Sequence, residues 1–491
     1  MKAYLSTRFT LTALLVLTLC VSGFSQTRKM GLRMDDDQYM RLPRKPDNLR
    51  FKGILPPSYN LKEYLPEAGD QGDFGTCVGW STAYYMRTIM QAKKNGWNNQ
   101  AANIAKARFS PAWIYNQIKK STDYDCQGGA SLADALELMK NKGTAMLACA
   151  PNECGSATGN CDQDAANFKI QGYATLFNST LSATPASEKI LAIKSALVES
   201  ENAVLIGMLM THSFLVEAKD TWKAAPGESP ESNLGGHAMA VIGYDDSING
   251  GSFLIVNSWG KGWGDNGLTW ANYDDMIRFT KYAFQVFPEP TPKPQPNVIA
   301  LKGNMEFTLT GGNMPVHSLV NKGIDVTPDQ PNSNAEMITY TMSNGYTSGT
   351  RFKMAINNNK QSYVYIIGSD QQNRVSKLFP VPTGTSTNVS PIIPSSNAVL
   401  MPSPNSSFTL DNVAGEDYFV VFISEKELNL DEVATKIKNT NGTIVQKAYA
   451  ALGEDFISPR DMTYEPNQIA FEVKGSPKGS VVPLLVKIEH K

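Results

Sequence analysis

The stretch Asp70-Gln71-Gly72-Asp73-Phe74-Gly75-Thr76-Cys77-Val78-Gly79-Trp80-Ser81 constrains this chain more than any other. A Gly-punctuated loop delivers one cysteine to the start of an apolar run, and the spacing predicts a helix from Cys77 to about Lys94, stopped at Asn95-Gly96. A thiol on a first helical turn sits among unpaired N–H groups at the positive end of the dipole, which favours thiolate. A lone cysteine is ordinarily a core residue, so catalysis requires a base and a group to orient it. Only four histidines exist, His212, His237, His317 and His490. His237 heads the apolar run Gly235-Gly236-His237-Ala238-Met239-Ala240-Val241-Ile242-Gly243-Tyr244, and Asn257 ends the next one, Phe253-Leu254-Ile255-Val256-Asn257, before Ser258-Trp259-Gly260. His212, in Thr211-His212-Ser213, lacks such a setting and reads as structural.

At 491 residues the chain is too long for one ordinary core. Its net charge of -1, with no basic run, argues against nucleic acid as a partner. Lys2 and Arg8, the apolar run Leu11–Val21 and the small residues Gly23 and Ser25 read as a secretory signal over residues 1–25. Export makes disulfides permissible. Cys20 lacks the small preceding residue of a lipidation site. Residues 26–53, polar and carrying Asp35-Asp36-Asp37, read as a flexible leader or short propeptide. No later run is long enough for a transmembrane anchor, so the mature protein is expected outside the cytoplasm, secreted, periplasmic or on a bacterial surface.

Ser110-Pro111 starts a second helix and Ser131 a third, ended by Gly143. A fourth helical run covers Ile190–Ser200. Strand-like runs follow at Val204–Met210, His237–Tyr244 and Phe253–Val256, with a polar excursion over Lys219–Leu234. Helices early and strands late give an α+β domain of two lobes. Cys126, Cys149, Cys154 and Cys161 lack the paired knuckles of a zinc site. They read as disulfide-forming, with three pairings open. No metal and no cofactor is called for.

The order Gln71, Cys77, His237, Asn257, with Cys126-Gln127-Gly128-Gly129 between, resembles the papain family of cysteine peptidases over roughly residues 54–287. The resemblance implies a papain-like two-lobed fold, helical and β-barrel-like, with a cleft between the lobes. It implies Cys77 as nucleophile, His237 as its acid–base partner, Asn257 orienting the imidazole, and Gln71 with the Cys77 N–H as oxyanion donors. Gly128 and Gly129 would pair with substrate backbone, and Trp259 would shield the Asn–His bond. Phe74 stands where the family commonly has a cysteine bridged to the position of Cys126, so packing by Phe74 is expected to hold the loop instead.

Pro288-Glu289-Pro290-Thr291-Pro292-Lys293-Pro294-Gln295-Pro296 is a stiff linker, assigned to residues 288–297. Residues 298–491 read as an all-β sandwich, with a hairpin formed by Arg351–Ile356 and Ser362–Ile367, one short helix over Leu430–Lys438, and a resemblance to a bacterial accessory domain of unknown function. The function expected is peptide-bond hydrolysis on protein or peptide substrates, with a cell-surface or glycan ligand for the accessory domain. The alternatives are a binding protein on a peptidase fold, or a transpeptidase using the same dyad.

Overall fold

The computed structural model describes residues 28–47, 49–155, 159–289, 301–318, 337–372, 374–381, 388–403 and 406–491. The signal segment and most of the proline linker lie outside these residues.

The helix from Cys77 forms as its sequence dictates. It runs unbroken to Lys94, its middle turns (Trp80–Arg87) widened to π winding, and Gly96 takes the left-handed conformation just beyond it. Residues 77–90 are all buried, which explains a run with no polar face. Ser110 caps Pro111–Ile118 by accepting the Trp113 N–H, and Ser131 caps Leu132–Asn141. These helices form one lobe. The other is a largely antiparallel sheet in the order 170–175, 280–288, 204–209, 236–245, 252–256, 268–272, 221–222. The helix Ala186–Ser200 packs on it, sharing a cluster with Val204, Ile206, Val241 and Ile255. Trp222, inside the polar excursion, is buried against Phe214.

Beyond the linker, two sheets face each other. One has the order 49–51, 397–401, 351–358, 302–309, 469–473, 462–464; the other 316–318, 338–342, 481–490, 415–424, 362–370, 375–379. Phe307, Phe352, Met354, Val364, Val399, Phe471 and Leu484 fill the space between them. Two helices, Leu430–Asn439 and Ile444–Leu452, cover the outer face of the second sheet through Val433 and Ile437 on Tyr363, Tyr365 and Phe422. The second of these was not foreseen; its mark in the sequence is the Thr443–Gln446 capping box.

Two expectations fail here. Arg351–Asn358 and Ser362–Asp370 lie in opposite sheets and do not form a hairpin. Buried Asn358 makes the corner, its amide bonding Lys360 O and Ser362 Oγ. Nor is the leader loose from Arg28 onward. It lies across the two lobes, forms a helix over Asp36–Arg41, and adds Leu49–Phe51 as the edge strand of the C-terminal sandwich. Composition hid this because backbone pairing and scattered polar contacts hold much of it, with few apolar side chains buried, among them Leu32 and Tyr39.

Candidate active site

Cys77 opens the buried helix and His237 sits at the head of the strand Gly236–Asp245, so the thiol and the imidazole come from opposite lobes. Both are fully buried. The Ala238 N–H donates to Cys77 Sγ at 3.5 Å. His237 Nε2 lies 2.8 Å from Asn257 Oδ1, so Nε2 carries the proton and Nδ1 is the basic nitrogen. That Nδ1 has no hydrogen-bond partner among the described residues. Asn257 is itself held: its Oδ1 also accepts the Ser258 N–H at 2.7 Å, and its carbonyl accepts the Tyr85 hydroxyl at 2.7 Å. Trp259 stacks on the imidazole, ring centroids 4.5 Å apart and 25° between planes.

Gln71 is fixed through the same loop. Its N–H donates to Ser258 O at 2.8 Å, and its Oε1 accepts from Ser258 Oγ at 2.6 Å. The amide Nε2 is thereby aimed outward, to the carbonyls of Phe74 (2.7 Å) and Lys29 (3.0 Å). The sequence pattern had singled out Gln71 and Asn257 but not Ser258, whose hydroxyl and backbone connect them.

Lys29 belongs to the leader, which occupies the cleft. Its carbonyl accepts from Gln71 Nε2 and, at 3.1 Å, from Trp259 Nε1. Gly31 O accepts the Ala130 N–H at 2.8 Å, the Arg33 N–H donates to Ala130 O at 2.9 Å, and the Leu32 N–H donates to Gly236 O at 3.1 Å. The pairing with Ala130 is parallel. Hydrogen bonding to the occupant thus falls on Ala130, one residue past the Gly128-Gly129 pair. Gly129, at φ +72°, permits close approach instead: a Cβ there would stand 2.5 Å from Gly31 O. Its N–H is already taken by Tyr115 Oη at 2.9 Å, and that hydroxyl donates to Asp123 at 2.6 Å. Gly128 is exposed and rests against the Asp123 side chain. Tyr115 and Asp123, which stiffen this edge, carry no recognisable motif.

Burial under the leader sets the protonation state. Desolvation pushes the Cys77 thiol up to about 11, against the N–H donors of Ala238 and Gly31 that favour thiolate. Desolvation likewise takes His237 down to about 4, only partly offset by Asn257. With the leader in place both groups are therefore held neutral, Cys77 as thiol and His237 as imidazole.

The cysteines pair as Cys126–Cys154 and Cys149–Cys161, leaving Cys77 as the free one among the described residues. Phe74 does not lock the loop as expected: it is 39% exposed. Hydrogen bonds do so, from Gly75 N to Cys126 O at 2.8 Å and from Gln127 Nε2 to Asp73 O at 2.7 Å. His212 is exposed at the start of a short helix, and His317 and His490 lie in the accessory domain. Among the described residues no cluster of His, Cys, Asp and Glu could hold a metal ion, and no helix is long and apolar enough to cross a membrane.

Residues 55–284 match the papain family of cysteine proteases, and residues 345–427 match a domain of unknown function (DUF4384). Among curated proteins, a cathepsin B-like protein (CP2) of Giardia intestinalis is 26% identical over 46% of this chain and 70% of its own length. Vignain of Phaseolus vulgaris is 24% identical over 43% and 53%, and an uncharacterized peptidase C1-like protein of Acanthamoeba polyphaga mimivirus is 33% identical over 40% and 61%. The chain spans 53% to 70% of the length of these curated relatives. Among solved structures, xylellain, a cysteine protease from Xylella fastidiosa, is 19% identical with a TM-score of 0.42, covering 53% of this chain and 97% of that one. The chain thus carries a papain-family cysteine peptidase domain followed by a β domain of a family with no known function.

Proposed function

We propose that the protein is an exported cysteine peptidase kept latent by its own leader. The observation that carries this reading is a buried free thiol that accepts the N–H of Ala238, the residue after His237, together with a His237 imidazole whose Nε2 is held by Asn257 and whose Nδ1 has no partner among the described residues. Once the leader leaves, water re-enters and the Cys77 proton passes to His237 Nδ1. The thiolate attacks a peptide carbonyl, whose oxyanion is received by Gln71 Nε2 and the Cys77 N–H. His237 then gives its proton to the leaving amine, and the acyl-thioester is hydrolysed by water that His237 deprotonates. Two disulfides fit an oxidising compartment. Latency is supported by the leader backbone, which uses the Gln71 donor and the Ala130 edge that a substrate would need.

The test is covalent labelling by an epoxysuccinyl thiol-protease inhibitor after leader removal, with peptide mapping. Label on Cys77, and peptide hydrolysis abolished in Cys77→Ala, is the expected result. A folded, leader-free protein that neither labels nor cleaves a peptide library would refute the reading.

A further inference from the structure

The leader is held at two places, and only one of them is the peptidase. After the cleft segment 28–34, the helix Asp36–Arg41 docks on the peptidase: Tyr39 Oη donates to Phe177 O at 3.0 Å, Gln38 Nε2 to Asp134 at 2.7 Å, and Tyr282 Oη to Asp36 at 2.6 Å. The chain then threads between the two domains. Pro43 O accepts the Thr175 N–H and the Lys45 N–H donates to Thr175 O, both on the peptidase side. Arg44, between them, turns its backbone the other way, donating to Asn388 O at 3.1 Å and accepting from the Ser390 N–H at 2.8 Å. Residues 49–51 then pair antiparallel with 399–397. Leu49 packs against the sandwich core, the Lys52 N–H donates to Ser396 O at 2.8 Å, and Lys52 Nζ donates to Asn358 O at 3.1 Å. At the junction of all three parts, the buried Glu199 carboxylate receives the Lys45 ammonium from the leader, Gln285 from the peptidase sheet and Asn397 from the sandwich.

We propose that the accessory domain is the receptor for the leader: its sheet edge at 396–399 and its segment 388–390 bind residues 44–52, and this grip sets how firmly residues 28–34 close the cleft. The inference rests on the latency reading above. An edge strand presents a row of unpaired N–H and C=O groups, a ready template for an added strand, and here the added strand comes from the same chain. Fixing residues 44–52 shortens the tether on which the cleft segment moves, which raises its effective concentration at Cys77. Any event that peels the leader from the sandwich edge would therefore weaken closure without touching the peptidase.

The test is the rate at which iodoacetamide alkylates Cys77 in the full, uncut chain, mapped by mass spectrometry under non-reducing conditions with the intact mass confirming the leader. The double variant Leu49→Asp/Lys52→Pro removes the apolar contact and the N–H held by Ser396, both far from the cleft in the fold. It is expected to raise the rate roughly tenfold. Arg44→Pro, which removes the N–H held by Asn388, is expected to act in the same direction and serves if the double variant misfolds. Deletion of residues 28–34 supplies the fully open rate. If the deletion accelerates alkylation while both strap variants stay at the wild-type rate, the receptor role is overturned and latency stands. If the deletion itself changes nothing, latency and the inference built on it both fall.

Discussion

Gly31 is the residue on which closure of the cleft turns. It passes between two backbones: a Cβ added there would lie 1.9 Å from Gly75 O and 2.6 Å from Gly75 Cα. On the other side Gly31 O is hydrogen-bonded to the Ala130 N–H. Neither wall can retreat, because Gly75 N is tied to Cys126 O and Gly129 N to Tyr115. Gly31→Ala must therefore lift the leader, breaking the Ala130 N–H bond to Gly31 O and the Gln71 Nε2 bond to Lys29 O. Two lost bonds at about 1 kcal/mol each, with about 1 kcal/mol or more of residual strain, give about 3 kcal/mol. That is a shift of roughly 150-fold toward the open form. The assay is the initial rate of hydrolysis of a short fluorogenic peptide by full-length protein, with the intact mass followed to confirm that the leader is uncut. Gly53→Ala, whose added Cβ would meet only the edge of the Phe51 ring, is the matched control and should stay within about twofold of wild type. A Gly31→Ala protein as silent as the control, yet fully active once the leader is removed, would refute the steric argument.

Two further outcomes follow from the same geometry. In the latent form His237, depressed by burial from 6.5 to about 4, contributes stability that is present above pH 6.5 and lost as pH falls toward 4, at most about 3 kcal/mol. Cys77, raised from 9 to about 11, contributes stability present below pH 9 and lost as pH rises toward 11. The Tm of the full chain should therefore be highest between about pH 6.5 and 9, and Cys77→Ala should flatten the alkaline limb alone; an unchanged limb would contradict the assignment. Replacing Cys126 and Cys154 with serine opens a loop whose cysteines are 28 residues apart, worth about 3.5 kcal/mol in the chain-entropy account. Because Cys126 O holds Gly75 and its neighbours carry the Ala130 edge, KM of the leader-free enzyme should rise severalfold; equal KM in this variant and in a Cys149→Ser/Cys161→Ser pair would show no special role.

The placement of the candidate groups was legible because each stands at an element end: a thiol at a helix start, an imidazole at a strand head, an amide just past a strand end. Helix limits were legible for the same local reason, since Ser110, Ser131 and Gly96 act within one turn. What escaped was long-range. The partner of Cys126 depends on where the segment 149–161 folds, which no spacing rule reports. Residues 28–52 looked unstructured because few of their side chains are apolar and buried, Leu32 and Tyr39 chief among them, while backbone bonds and scattered polar side-chain contacts such as Gln38–Asp134 and Lys45–Glu199 hold the rest. Asn357-Asn358-Asn359 suggested a hairpin turn; the side chain of Asn358, buried at the junction of two sheets, made it a corner.

The protonation states bear on what can release the leader. In the covered site the dyad holds one proton, on sulfur; on the proposed mechanism the open dyad also holds one, on His237 Nδ1. Opening then moves a proton within the pair and takes none from solution, so across the pH range where both forms hold that single proton the closure equilibrium has no slope with pH from these two residues. Across that range, on the proposed mechanism, acid does not open the cleft through Cys77 and His237. The balance lies instead with the backbone bonds of residues 29–33, with burial of Leu32, and with whatever keeps the remainder of the leader in place. Among the described contacts, those of the sandwich edge with residues 44–52 can be changed without altering either lobe of the peptidase. On the proposed mechanism control across that pH range lies outside Cys77 and His237, and the domain of unknown function is where the leader is attached.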